Sequence, residues 1–211
     1  MARLDKERIA AAALAVVDSH GVPGFTIRAV AEVLGVTPMA IYYHVKNKAE
    51  LVALVVSASH KERPLAPLTG AWRDDMLAMA RWMRDGVIKH PALGELHRIY
   101  PVYTPEIIQL AERWLQLWQQ SGLGLKLAVR AAATSSVAIA GVAVQAMVVQ
   151  KLKPPDESLV SRDARVRRTF RMEDPEAIFD LAISAFIDGL HASLGRKRSR
   201  RSASRRRARG A

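Results

Sequence analysis

The stretch Thr26-Ile27-Arg28-Ala29-Val30-Ala31-Glu32-Val33-Leu34-Gly35-Val36-Thr37-Pro38-Met39-Ala40-Ile41-Tyr42-Tyr43-His44-Val45-Lys46-Asn47-Lys48 predicts two short helices joined by a tight turn. Thr26 is of the type that caps a helix start, and Ile27, Val30, Ala31 and Leu34 then recur on one face. Gly35 stops that helix. Thr37 followed by Pro38 reads as a cap and a first helical residue, opening a further helix through about Tyr43. Asn47 can cap another, over about residues 48–59, with Leu51, Leu54 and Val55 on one side. Two short helices with a glycine turn between them form the helix-turn-helix pattern, whose second helix meets base edges in the major groove of DNA.

Upstream, Ile9, Ala12, Ala13, Val16 and Val17 give residues 5–20 the spacing of an amphipathic helix, which Gly21 ends. Downstream, Pro64 and Pro67 mark a joint. Longer helices are predicted beyond it, at about residues 70–89, 93–100, 105–120, 126–150 and 175–194. No segment alternates with a period of two, so the fold class is all-α. The expected architecture is an N-terminal three-helix helix-turn-helix DNA-binding domain (1–60) and a larger helical domain (61–194), to which the family resemblance described below assigns ligand binding and dimerisation. A disordered basic tail (195–211) should follow, and the polar residues 151–174 should form a mobile connection.

The formal charge is +12, but nine of the cations, from Arg196 to Arg209, lie in the tail. Without them the body carries only +3, so charge alone does not establish nucleic-acid binding. The arginine-rich tail leaves open a second function class, an architectural or RNA-associated binder held by sequence-independent attraction; its bland counterpart is a solubilising appendage. Cysteine is absent, which excludes disulfides and thiolate chemistry and suits a cytoplasmic protein. The apolar N-terminal stretch has acidic residues in its charged start and runs into helical periodicity, so it reads as structure and no signal peptide is expected. Residues 131–150 carry no charge and are long enough to cross a bilayer. Their alanine, serine and threonine content suits instead a helix packed closely against its own domain and a second subunit, with no membrane.

The quoted stretch, with Arg3-Leu4-Asp5-Lys6 before it, resembles the signature of TetR-family regulators over the first 60 or so residues. Trp72 with Asp74 or Asp75, and His90-Pro91, are similar to the start of the ligand domain in the tetracycline-repressor branch, a weaker match. The resemblance implies an all-helical homodimer, usually a repressor, that binds a double-stranded DNA operator and loses affinity for it when a small-molecule effector enters the C-terminal domain.

The residues support such roles one by one. Thr26 can offer its hydroxyl to a phosphate at a helix N-terminus, a position the dipole also favours. Arg28 and Lys48 sit in first helical turns, where a cation gains nothing from the dipole unless an anion is near; for Arg28 a solvated surface role is the alternative. The resemblance puts Arg28 in or beside the major groove. Thr37, Pro38, Met39 and Ala40 open the recognition helix, and Met39 and Ala40 could meet a thymine methyl, unless Met39 fills the core. Ile41 and Val45 are the better core candidates. Tyr42 and Tyr43 point about 100° apart, so one of them should be buried. By resemblance Tyr42 contacts phosphate while Tyr43 and His44 face the duplex, with Lys46 and Lys48 following.

In the second domain Met79, Trp82, Met83, His97, Tyr100, Trp114 and Trp118 are candidates for an apolar effector pocket, although most such residues belong to cores. No HExxH, P-loop, GxSxG or GxGxxG motif occurs, and the six histidines form no i, i+4 metal pair. Neither catalysis nor a cofactor is expected, and no residues are assigned to a metal site, the resemblance leaving open whether a divalent metal assists ligand binding.

Overall fold

A computed structural model describes residues 3–151 and 174–209. Its elements are α1 (Lys6–Gly24), α2 (Ile27–Leu34), α3 (Pro38–Tyr42), α4 (Lys48–Lys61), α5 (Trp72–Lys89), α6 (Pro91–Ile99), α7 (Pro105–Gln120), α8 (Leu125–Lys151) and α9 (Pro175–Arg209). No strand occurs among the described residues.

The chain falls into two compact units, and the division differs from the expected cut at residue 61. The first comprises Met1–Leu68 together with Asp85–Trp114; the second comprises Thr69–Arg84 with Leu115–Ala211. The cause lies in α6, which packs on α1 and α4. The residue just before it, His90, is buried and bonded through Nδ1 to Asp18 Oδ2 of α1 at 2.8 Å. Pairings of this kind carry no local sequence signal.

In the first unit Ile9, Ala13 and Val17 of α1, Val30 of α2, Ile41 of α3 and Leu51, Val52 and Val55 of α4 close around a fully enclosed Phe25. Gly21 breaks α1 where expected, with φ 63°. The second unit is built on α8 and α9, with Ile139 and Ala143 facing the interior from one and Phe179, Ile183 and Ile187 from the other. Two salt bridges tie α5 to α9, Arg73 to Asp188 and Arg81 to Asp180, and Arg84 lies with its guanidinium carbon 5.0 Å from the centre of the Phe179 ring.

Three expectations need correction or restriction. The last helix runs through Arg209, past the expected end at 194 and into the tail expected to be disordered. Arginine, which dominates that segment, is among the best helix formers. The expected mobile connection lies outside the described residues except for its ends, where Asp174 accepts from the backbone N–H of Glu176 at 2.9 Å and so caps α9. Two helical windows, Leu125–Gln145 and Pro175–Gly195, are long and apolar enough to cross a membrane by length and composition.

Candidate nucleic-acid interface

The helix pair is set by short-range hydrogen bonds that the sequence encodes directly. Thr26 Oγ1 accepts from the Ala29 N–H at 3.1 Å, Thr37 Oγ1 from Ala40 at 3.3 Å, and Asn47 Oδ1 from Glu50 at 2.9 Å, so α2, α3 and α4 each start on a side-chain cap. Gly35 ends α2 in the left-handed conformation, φ 63°. Its N–H reaches Glu32 O at 3.1 Å while Val36 N–H reaches Ala31 O at 3.0 Å, the paired bonds of a Schellman turn. Glu50 completes the α4 start by accepting the Lys46 N–H at 2.8 Å. That bond, with Lys6 and Lys46 nearby, holds its carboxyl below the usual range despite partial desolvation.

Thr26, Ile27, Arg28, Tyr42, Lys46, Asn47 and Lys48 line an open hollow of about 530 Å³. Three of the seven are cations and none is acidic. Thr26, Arg28, Tyr42 and Lys46 are exposed, whereas Lys48 is half-buried. Its Nζ lies 5.5 Å from the centre of the Phe25 ring and 5.2 Å from that of Tyr100. Since Thr26 Oγ1 already accepts from Ala29, its own proton is left to donate, and the N–H groups that open α2 have no intrahelical acceptor. Such a hollow suits an oxyanion.

On α3, Thr37, Pro38 and Met39 are exposed and Ala40 is half-buried. Met39, 64% exposed, is no core filler; Ile41 and Val45 take that place. Arg28 is likewise exposed. The expectation that either Tyr42 or Tyr43 is buried is not met, because they are 48% and 83% exposed. The five-residue α3 ends at Tyr42, and Ile41 and Val45 alone turn inward from this segment. His44 is half-buried beside them.

The effector-pocket candidates are distributed over both units. Met79 is buried and Trp82 and Met83 are half-buried on the part of α5 that belongs to the second unit. Trp118, in the same unit, is fully enclosed, with its indole N–H donating to Ser135 Oγ at 3.0 Å. A second open hollow, about 620 Å³ between Gln119 and Leu127, has none of the seven in its wall. His97, Tyr100 and Trp114 belong to the first unit, where Tyr100 faces Lys48. Phe25 and Tyr100 escaped sequence reasoning as the rings beside Lys48, one of the residues that line the first hollow. A ring behind a cation leaves no periodic trace. Among the described residues no three His, Asp or Glu side chains converge as metal ligands.

Capped helices, a glycine-jointed turn and a cation-lined open side together define a helix-turn-helix DNA-binding protein. Residues 9–55 match the family described as "Bacterial regulatory proteins, tetR family", and residues 64–194 match "Tetracyclin repressor-like, C-terminal domain". The chain belongs to the TetR family of transcription regulators. It is 25% identical to the tetracycline repressor protein class D of Escherichia coli over 92% of each chain. It is 31% identical to the HTH-type transcriptional repressor DrrR1 of Streptomyces coeruleorubidus over 57% of this chain, a match that spans 45% of that protein. Among solved structures, the Streptomyces coelicolor TetR-family protein ActR in complex with actinorhodin has a TM-score of 0.72 and 25% identity, covering 92% of this chain and 99% of that one.

Proposed function

We propose that this regulator is a cytoplasmic repressor that holds a DNA operator as a homodimer and releases it when a small, largely apolar molecule binds. The observation that carries the DNA part is the outward row of Thr26, Arg28, Thr37, Met39, Tyr42, Tyr43 and Lys46 around the start of α2, α3 and α4. Phosphates meet Thr26, Arg28, Tyr42, Lys46 and Lys48. Base edges meet Thr37, Pro38, Met39 and Ala40, with Tyr43 and His44 at the groove. Few of the base-facing groups can hydrogen-bond, so apolar contact and DNA shape carry much of the specificity.

Dimerisation is supported by apolar side chains left in the open on the second unit: Val129, Val137 and Val144 on α8, and Ile178 and Leu181 on α9. Val137 and Leu181 are 74% and 73% exposed. A second copy packing there accounts for these helices without a membrane. The effector reading is supported by the class D relative, named for tetracycline, and by the ActR structure with actinorhodin. Met79, Trp82 and Met83 supply aromatic and flexible apolar surface for such a ligand.

The test begins by selecting a duplex from a randomised pool with the full-length protein. A two-fold symmetric site, a dimer in sedimentation and a monomer for Val137→Arg are expected. A thermal-shift screen of apolar compounds should then yield ligands that lower affinity for the selected duplex about 5- to 150-fold. Ligands that stabilise the protein but leave DNA affinity unchanged would remove the release mechanism. Deleting residues 195–211 should leave operator preference intact; its loss would transfer binding to the arginine-rich tail.

A further inference from the structure

We propose that Tyr100, at the end of α6, is a positioning residue for DNA contact: its ring, together with that of Phe25, fixes the Lys48 ammonium at the edge of the hollow between α2 and α4. The inference rests on the reading of that hollow as a phosphate site.

Lys48 is the first residue of α4, where the dipole of its own helix opposes a cation. Its four-carbon stem has many rotamers, and a lysine so placed would ordinarily be spread through solvent. Here both aromatic faces lie within the ~6 Å over which a ring attracts a cation. The two rings are held firmly. Phe25 is fully enclosed in the core, and Tyr100 packs against that core while its backbone N–H bonds Leu96 O at 2.9 Å. Arg28 and Lys46, the other cations of the hollow, are exposed, so Lys48 is the cation whose position is set in advance. Ordering lost before binding is not lost again when a phosphate arrives. Since Tyr100 closes α6, displacing that helix end would also remove one of the two rings beside Lys48.

Fluorescence anisotropy on the selected duplex, with the full-length protein between 50 and 200 mM salt, tests this with Lys48→Met, Tyr100→Leu, Tyr100→Phe and the Lys48→Met/Tyr100→Leu double variant. Tyr100→Leu keeps an apolar plug without a π face and should weaken binding about two- to fivefold, the worth of an exposed cation–ring contact. Tyr100→Phe should bind like the parent, and Tyr100→Leu should add nothing once Lys48 is Met. Losses that multiply in the double variant, or a Phe variant as weak as the Leu one, would overturn the proposal. A Lys48→Met defect without a Tyr100→Leu defect removes the positioning role alone. If Lys48→Met changes neither affinity nor salt slope, the phosphate reading of Lys48 falls, and the proposal with it.

Discussion

The Arg73 guanidinium meets the Asp188 carboxylate through two hydrogen bonds, Nε to Oδ1 at 2.8 Å and Nη2 to Oδ2 at 2.6 Å. Arg81 repeats the arrangement on Asp180 at 2.9 and 2.7 Å. The order of the numbers fixes the register: moving two turns forward along α5 moves two turns back along α9, so the helices run antiparallel.

Both aspartates are held below the usual carboxylate range, chiefly by the hydrogen bonds from their arginines. The unfolded chain therefore takes up protons first. This stabilisation is complete above the unfolded value, about pH 4, and is lost as pH falls through the lower folded value. The pairs are partly exposed and screened, so each contributes about 0.2–1 kcal/mol. Asp188→Asn should lower stability by that amount in urea at pH 7 and by almost nothing at pH 2.5. Equal losses at both pH values would show that the carboxylate's charge is not what matters.

Gly35 offers a clean measure of backbone strain at the turn. A Cβ added there meets no atom within 4 Å, so substitution costs conformation alone. Gly35→Ala should destabilise by about 1–2 kcal/mol, and Gly35→Asn by less, because asparagine tolerates the left-handed region. Thermal midpoints would separate them, and an Ala variant as stable as the parent would contradict the left-handed turn.

Asp18 is the partner of a buried imidazole, and the His90 Nε2 lies 3.5 Å from Glu62, too long for a good hydrogen bond. Asp18→Ala leaves the Nδ1 side unpaired and should cost about 1–3 kcal/mol. Chemical denaturation should show the loss in the transition that unfolds the first unit. A neutral result would mean water replaces the carboxylate at no cost.

Arg28 and Met39 should fail in different ways. Arg28→Ala should weaken selected and random duplexes alike and shallow the salt dependence by about 0.9 in log–log slope. Met39→Ala should instead relax preference at one base pair, by about 1 kcal/mol against the selected sequence. Uniform weakening by Met39→Ala would take it out of the base-reading set.

The helix starts at Thr26, Thr37 and Asn47 and the stops at Gly21 and Gly35 were legible because each is a contact within a few residues or a backbone conformation tied to one residue type. The long helices followed from apolar periodicity, and the start of α7 at Pro105 fell where proline placed it. α9 outruns the expected end at 194 because the helix propensity of arginine carries it through a charge-dense segment. Both tyrosines are exposed, where one is expected to be buried, since a short α3 exposes both sides of its C-terminal end.

What the sequence alone determined is therefore the order, type and approximate limits of the helices, and through the capped pair the DNA-reading role. Tertiary structure alone decided that residues 85–114 join the N-terminal helices, that Asp18 meets His90 across 72 positions, and that Phe25 and Tyr100 flank Lys48. Caps and periodicity act through hydrogen bonds and faces repeated every few residues, whereas these pairings arise only when remote surfaces close on one another, a choice made by the packing of the whole core.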